Sequence, residues 1–233
     1  MTDKIFKKVG YTGLNGERAA LTERIIKETP LAINVNGKFL ATAMITATME
    51  KEFVTGYLFS QGMITGAGDI ESLDIHTGEA SVEIKRKRTR ASRKPAVKSC
   101  LLVRKEDVFD CVRAILKSEI FEGTEAVHSA GLFRNGQETI CIAEDLGRHN
   151  ALDKVIGYGL RHDINFWEVL AASTGRQPSE MISKCIRAGI PVIATKGVPT
   201  TTAIEMAKEA AITIAGLVRG DTMTVYSTPA RIL

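Results

Sequence analysis

The chain has 233 residues, of which 44% are hydrophobic and 25% charged, and its formal net charge is +4. This composition is that of a soluble globular protein and excludes a disordered chain, a collagen-like chain and a coiled coil. The length suits one large domain, or a medium domain plus a smaller one, with a core that needs neither disulfides nor a structural metal.

Met1 to Lys8 is polar and charged and lacks the apolar centre of a signal peptide. No apolar run is long enough to cross a bilayer, so a cytoplasmic protein without a membrane span is expected. Pro30 to Val35 and Lys38 to Thr46 are β-prone runs separated by Asn36-Gly37, a hairpin signal because both residues tolerate positive φ. A helix is predicted over Glu50 to Gln61, with Phe53, Tyr57 and Leu58 on one face and Gly62 as its C-cap. Ser72 to Lys85 reads as a second hairpin turning at Thr77-Gly78.

Lys85, Arg86, Lys87, Arg88, Arg90, Arg93, Lys94 and Lys98 then place +8 on a segment with no acid, which leaves −4 for the remainder of the +4 chain. With little periodicity and Pro95 inside it, this basic segment (85–99) reads as a mobile linker or loop closing an N-terminal β-rich domain, 1–99. Basic clusters bind phosphate backbones. Without interleaved aromatics for base stacking, nucleic acid is not the expected partner.

The second domain, 100–233, opens with a helix from about Arg104 to Ser118 that buries Val108, Cys111, Val112, Ile115 and Leu116. A regular rhythm follows: strand Glu138 to Ala143, helix Ala151 to Leu160, strand Trp167 to Ala172, helix Pro178 to Ala188, strand Pro191 to Ala194, helix Thr202 to Ala210. Thr202 and Glu205 match a capping box, and Pro178 suits a first helical turn. Ile212 to Val218 and Thr222 to Tyr226 end the chain as strands. Strand–helix alternation argues for an α/β sheet with parallel strands.

Ligands bind such sheets beyond the carboxyl ends of the strands. The loops expected there are Glu144 to Asn150, Ser173 to Gln177, Thr195 to Thr200 and Arg219 to Thr222. Each supplies a cation, a glycine and a hydroxyl or amide, which at helix N-termini suits phosphate. The bland alternative for any one loop is a glycine turn with a solvated cation. No loop matches a P-loop or GxGxxG. His149, with Glu144 and Asp145, could do acid–base work, or the two carboxylates could simply hold Arg148 or His149 in place. His128 reads as a hydrogen-bonded structural residue.

Zinc deaminase chemistry needs H-x-E and P-C-x-x-C, and neither is present. No two of Cys100, Cys111, Cys141 and Cys185 are spaced as CxxC, so a zinc ribbon or a redox pair is not expected. Cys111, Cys141 and Cys185 fall in predicted core elements. Cys100 follows Lys98 and Ser99 at the end of the basic segment, where neighbouring cations favour a nucleophilic thiolate; an incidental cysteine is the other reading. A flexible loop could carry its sulfur to a ligand.

The run from Glu144 to Lys154, EDLGRHNALDK, is close to the EDVGRHNALDK of the formate dehydrogenase accessory protein family, FdhD. Ser173 to Arg176, Ala188 to Val192, Ala215 to Gly220, Thr224 to Pro229, the first hairpin and the Gly56 to Gly62 helix also fit, so the chain resembles that family over nearly its whole length. The resemblance implies a cytidine deaminase-like three-layer α/β/α sandwich without zinc, a smaller N-terminal α+β domain, and a homodimer. It implies a sulfur carrier that takes a persulfide from a cysteine desulfurase. The sulfur passes to a molybdenum cofactor, held by two molybdopterin guanine dinucleotides as cargo, before insertion into formate dehydrogenase. The family's binding segment aligns with Leu217, Val218, Arg219, Gly220, Asp221 and Thr222, to which the loop reading adds Arg148, His149, Arg176 and Lys196. The family's CxxC is incomplete here: Cys100 is followed by Leu101-Leu102-Val103. Cys100 is therefore the candidate persulfide carrier, and a cofactor-binding chaperone without sulfurtransferase activity is the alternative.

Overall fold

The computed structural model describes residues 2–15, 17–85, 96–124 and 126–233. Most of the basic segment, residues 86–95, lies outside them. A short helix α1 (Thr2–Ile5) leads into an antiparallel two-stranded ribbon, β1 (Phe6–Asn15) and β2 (Glu17–Ile26). The strands β3 (Thr29–Val35) and β4 (Lys38–Ile45) are joined through Asn36 and Gly37, both at positive φ as a two-residue hairpin turn requires. After α2 (Glu50–Gln61), the strands β5 (Ile70–His76) and β6 (Glu79–Ile84) turn at Thr77-Gly78 and complete a four-stranded sheet in the order β4-β3-β6-β5.

Helices α3 (Lys105–Leu116) and α4 (Glu119–Thr124) precede a six-stranded sheet of order β12-β11-β10-β9-β7-β8. Its strands are β7 (His128–Arg134), β8 (Glu138–Asp145), β9 (Val169–Ser173), β10 (Val192–Thr195), β11 (Thr213–Arg219) and β12 (Thr222–Ser227). The helices α5 (Arg148–Arg161), α6 (Ser179–Ala188) and α7 (Thr201–Glu209) connect them. The sheet is mixed rather than parallel. Only β9, β10 and β11 pair in parallel, while β7, β8 and β12 add antiparallel ladders at the two flanks. The reason is the β7–β8 hairpin, which returns the chain before the first crossover helix.

Strand alternation sorts the central residues onto two faces. Ala130, Leu132, Val169, Ala171, Ile193 and Ile214 join the core beneath α5, α6 and α7. Phe133, Leu170, Ala172, Val192, Ala194 and Ala215 meet Val108, Cys111, Val112 and Ile115 of α3. The first of these cores does not stop at the helices. It runs on through Phe53, Val54 and Leu58 of α2 to Leu31, Ile33, Ala80 and Val82 of the four-stranded sheet. Burying each of the larger of these side chains contributes roughly 1.5–3 kcal/mol, so the two regions fold onto a shared interior.

The helices α2 and α5 cross with their backbones in contact. A Cβ on Gly56 would overlap the Asp153 carbonyl, and one on Gly157 would overlap the Glu52 carbonyl. Helix α7 starts one residue before the predicted capping box. Thr200 is its N-cap and accepts the Ala203 N–H at 3.4 Å. Pro199 bridges Gln177 and Thr200 N–H donates to the Gln177 carbonyl, so the extended backbone persists up to Thr200. Pro178 likewise sits at the N-cap of α6 rather than inside its first turn. No helix among the described residues is long and apolar enough to cross a membrane.

Candidate functional site

The strand directions bring the four cationic loops to one edge of the six-stranded sheet. The chain leaves β8, β9, β10 and β11 at that edge, because β8 runs antiparallel to β7 and β7 antiparallel to β9. Helices α5, α6 and α7 begin there, with first-turn amides and positive dipole ends directed at the edge.

Neighbouring loops are tied to one another. Thr174 N–H donates to the Ser129 carbonyl at 3.0 Å, and Thr195 Oγ1 to the Gly175 carbonyl at 2.6 Å. Leu217 N–H donates to the Gly197 carbonyl at 2.8 Å. Glycine is required at two of these approaches. A Cβ at Gly175 would come within 2.7 Å of Arg148 Cδ, and one at Gly197 within 2.9 Å of the Gly175 carbonyl oxygen.

Arg148 opens α5 half-buried, and its Nε is buried without a hydrogen-bond partner among the described residues. Ser129 Oγ and Gln177 Oε1, at the same edge, are buried and unpartnered in the same sense. Such groups are costly unless a ligand or water serves them. Arg176 and Lys196 are exposed, and Arg219, Gly220, Asp221 and Thr222 form the exposed β11–β12 turn. Leu217 sits at a bulge with φ 53°, and the Val218 side chain is packed in the core beneath α3.

His128 and His149 flank Arg148. His128 Nδ1 lies 3.2 Å from Thr174 Oγ1, and His149 Nε2 lies 3.2 Å from the Glu180 carboxylate. Burial, and then the Arg148 charge, push both imidazoles below their ordinary value. The edge therefore carries fixed guanidinium and ammonium charge beside two largely neutral rings. It can grip an anion and donate from imidazole, and no geometry there aligns a nucleophile.

Glu144 and Asp145 do not hold Arg148 or His149. Glu144 Oε1 accepts the Phe121 N–H at 2.6 Å. Asp145 is fully buried and pairs at 2.7 Å with Lys154, itself fully buried. Asp145 also accepts Thr46 N–H, Gly147 N–H and the Asn150 amide. Lys154 Nζ donates to the carbonyls of Thr46 and Glu144 and to Thr48 Oγ1. Asp153 accepts from Ser60 Oγ and pairs with Lys184. Much of the EDLGRHNALDK run thus clamps the start of α5 to the β4–α2 connection. Sequence reading missed this clamp, because its partners are about a hundred residues apart.

Cys100 is exposed, but it is not at this edge. Ser99 Oγ donates to the Trp167 carbonyl just before β9, and Val97 N–H to the Ala210 carbonyl just before β11. Val103 bridges Ile232 after β12. Cys100 therefore lies at the amino end of the parallel strands, roughly 20 Å across the sheet at ~3.3 Å per residue. The expected meeting of sulfur and cationic loops does not occur within this chain, because the carboxyl-terminal tail anchors the segment at the far edge. Cys111, Cys141 and Cys185 are buried, and burial pushes their thiols up to about 12. A disulfide reagent at neutral pH should therefore titrate one thiol in the native chain and four in denaturant, followed as released thionitrobenzoate.

The model of the FdhD/NarQ family matches residues 26–102 and 89–233. The chain is 31% identical to the sulfur carrier protein FdhD of Methanothermobacter thermautotrophicus, over 98% of this chain and 99% of that one. It is 33% identical to the sulfur carrier protein FdhD of Geobacillus kaustophilus, over 94% of each. Among solved structures it is similar to a candidate formate dehydrogenase accessory protein of Desulfotalea psychrophila, with TM-score 0.86, 30% identity, and coverage of 98% of this chain and 100% of that one.

Proposed function

Because the chain belongs to the FdhD/NarQ family, we propose that it is a sulfur carrier that serves formate dehydrogenase, with Cys100 as its sulfur-bearing residue. The observation that carries this reading is the exposure of Cys100 while the other three thiols are sealed in the core. The sulfur comes from a cysteine desulfurase persulfide. Cys100 thiolate attacks the outer sulfur, a new S–S bond forms, the donor's S–S bond breaks, and the donor cysteine leaves as thiolate. Oxidation states balance without an added oxidant.

The cargo is a molybdenum centre held by two molybdopterin guanine dinucleotides. Its pyrophosphates suit Arg148, His149, Arg176, Lys196 and the segment 217–222, and the unpartnered Arg148 Nε fits a ligand that supplies acceptors. In this reading the protein works in the cytoplasm as a homodimer, and its α/β layers are those of a cytidine deaminase-like sandwich.

The test is to load the protein with a desulfurase and cysteine and weigh it intact. One added sulfur on wild type and none on Cys100→Ala is expected. Equal loading of the two overturns the assignment. One fact favours a carrier of cofactor alone: where a CxxC has its second sulfur, Val103 is buried at 1% exposure. Full formate dehydrogenase maturation by Cys100→Ala would select that reading.

The nucleotide edge has its own signature. The two histidines are held below their ordinary value in the free protein, and a bound diphosphate raises them again. Protonation and binding therefore reinforce each other. A guanosine diphosphate probe should bind more tightly at pH 6 than at pH 8, by about fivefold or more, and calorimetry in two buffers should show proton uptake.

A further inference from the structure

Two imidazoles stand at the cationic edge, and they are tied differently. His149 Nε2 is buried and faces the Glu180 carboxylate at 3.2 Å. His128 opens β7 half-buried and is held from its other nitrogen. Its Nδ1 lies 3.2 Å from Thr174 Oγ1, and no described residue bonds its Nε2. Asp145, opposite His128 on the β7–β8 ladder, is spent on Lys154, Thr46, Gly147 and Asn150.

Thr174 is itself fixed by the backbone of Ser129. Its N–H donates to the Ser129 carbonyl at 3.0 Å, and its Oγ1 accepts the Ser129 N–H at 3.1 Å. A hydroxyl has one proton to give. With the Ser129 N–H arriving at Oγ1, the acceptor left for that proton among the described residues is His128 Nδ1. A ring nitrogen that accepts carries no proton, so the proton of the neutral imidazole sits on Nε2. Burial and the Arg148 charge favour that neutral form. The next residue, Gly175, lies against the Arg148 stem, because a Cβ there would come within 2.7 Å of Cδ and 2.9 Å of Cβ. Thr174-Gly175 thus joins the ring to the arginine whose Nε is buried and unpartnered.

We propose that Thr174 is a positioning residue that locks neutral His128 in its Nε2–H tautomer, and that this N–H, with Arg148, donates to a phosphate oxygen of the nucleotide held at this edge. The ligand half rests on the cofactor-binding reading above. His128 is then a binding residue as well as a hydrogen-bonded one, and it is a donor before it takes up any proton.

The test uses the full chain with 15N-labelled histidine at pH 8. Long-range proton–nitrogen spectra distinguish the two neutral tautomers, and the set lost from the four in His128→Gln assigns the ring. His128 should carry Nε2–H in wild type and in Thr174→Ser, and become a mixture in Thr174→Val. Guanosine diphosphate affinity, by calorimetry at the same pH, should fall about tenfold in His128→Ala and about threefold in Thr174→Val, and return to about the wild-type value in Thr174→Ser. His128→Gln, whose amide nitrogen reaches the place of Nε2, should stay within about threefold of wild type, whereas His128→Asn, whose amide reaches only that of Nδ1, should resemble alanine. An Nδ1–H ring in wild type overturns the proposal, and so does wild-type affinity in His128→Ala. If Thr174→Val does not fold, the wild-type spectrum and the His128 series decide. A wild-type chain that binds no guanosine diphosphate removes the cofactor reading and the ligand contact with it, whereas binding indifferent to His128 removes this inference alone.

Discussion

Gly157→Ala is expected to lower stability by about 4 kcal/mol or more, read as the shift in urea midpoint at constant slope. The added methyl would occupy the position of the Glu52 carbonyl on α2, and its neighbour is backbone, which no rotamer change can move. Overpacking within side chains typically costs about 1–3 kcal/mol, but here two helix axes must separate. That separation would also open the interior running from the four-stranded sheet to the six-stranded one. Gly56→Ala, facing the Asp153 carbonyl from the other helix, should behave alike. Gly123→Ala is the control. It lies in α4 with open space around its Cβ position, so the same substitution should be neutral or stabilise by up to about 1 kcal/mol. A Gly157→Ala chain with a wild-type midpoint would mean that α2 and α5 do not touch at the backbone.

The second large effect is expected at the buried clamp. Lys154→Met and Asp145→Ala should each cost about 3–5 kcal/mol, because either leaves a charge buried without its partner. The aspartate should be the worse loss: it serves three donors besides the lysine, from Thr46, Gly147 and Asn150. For the same reason a double variant, Asp145→Ala with Lys154→Met, should recover only part of the loss. A double-mutant cycle should return a coupling of about 2 kcal/mol or more, and additive losses would show that the two groups do not interact. Because the clamp sets where α5 begins, the folded fraction of each variant should also bind guanosine diphosphate more weakly through displaced Arg148 and His149.

Local chemistry was legible wherever the decisive partners were near in sequence. The turns at Asn36-Gly37 and Thr77-Gly78 and the helix Glu50–Gln61 follow from backbone preferences and periodicity alone. The strand–helix series from Glu138 onward matched to within a few residues. Asn135-Gly136, which turns β7 into β8, carries the same Asn-Gly signal, and this hairpin is what makes the sheet mixed. Three features depend on distant partners and carry no local mark. These are the burial of Lys154 against Thr46, the bare helix crossing at Gly56 and Gly157, and the anchoring of Val103 to Ile232. The last holds Cys100 at the edge opposite the four cationic loops, whose shared edge follows from strand direction alone.

The separation of the exposed sulfur from the cationic loops also has a kinetic consequence. On the proposed function, a sulfur donor over one margin of the sheet would leave the opposite margin open, so donor and recipient could be bound together while the sulfur passes through Cys100 in two steps. Steady-state rates with both varied should then give parallel reciprocal plots, the mark of sulfur resting on a covalent carrier, without the mutual competitive inhibition that a single shared berth would impose.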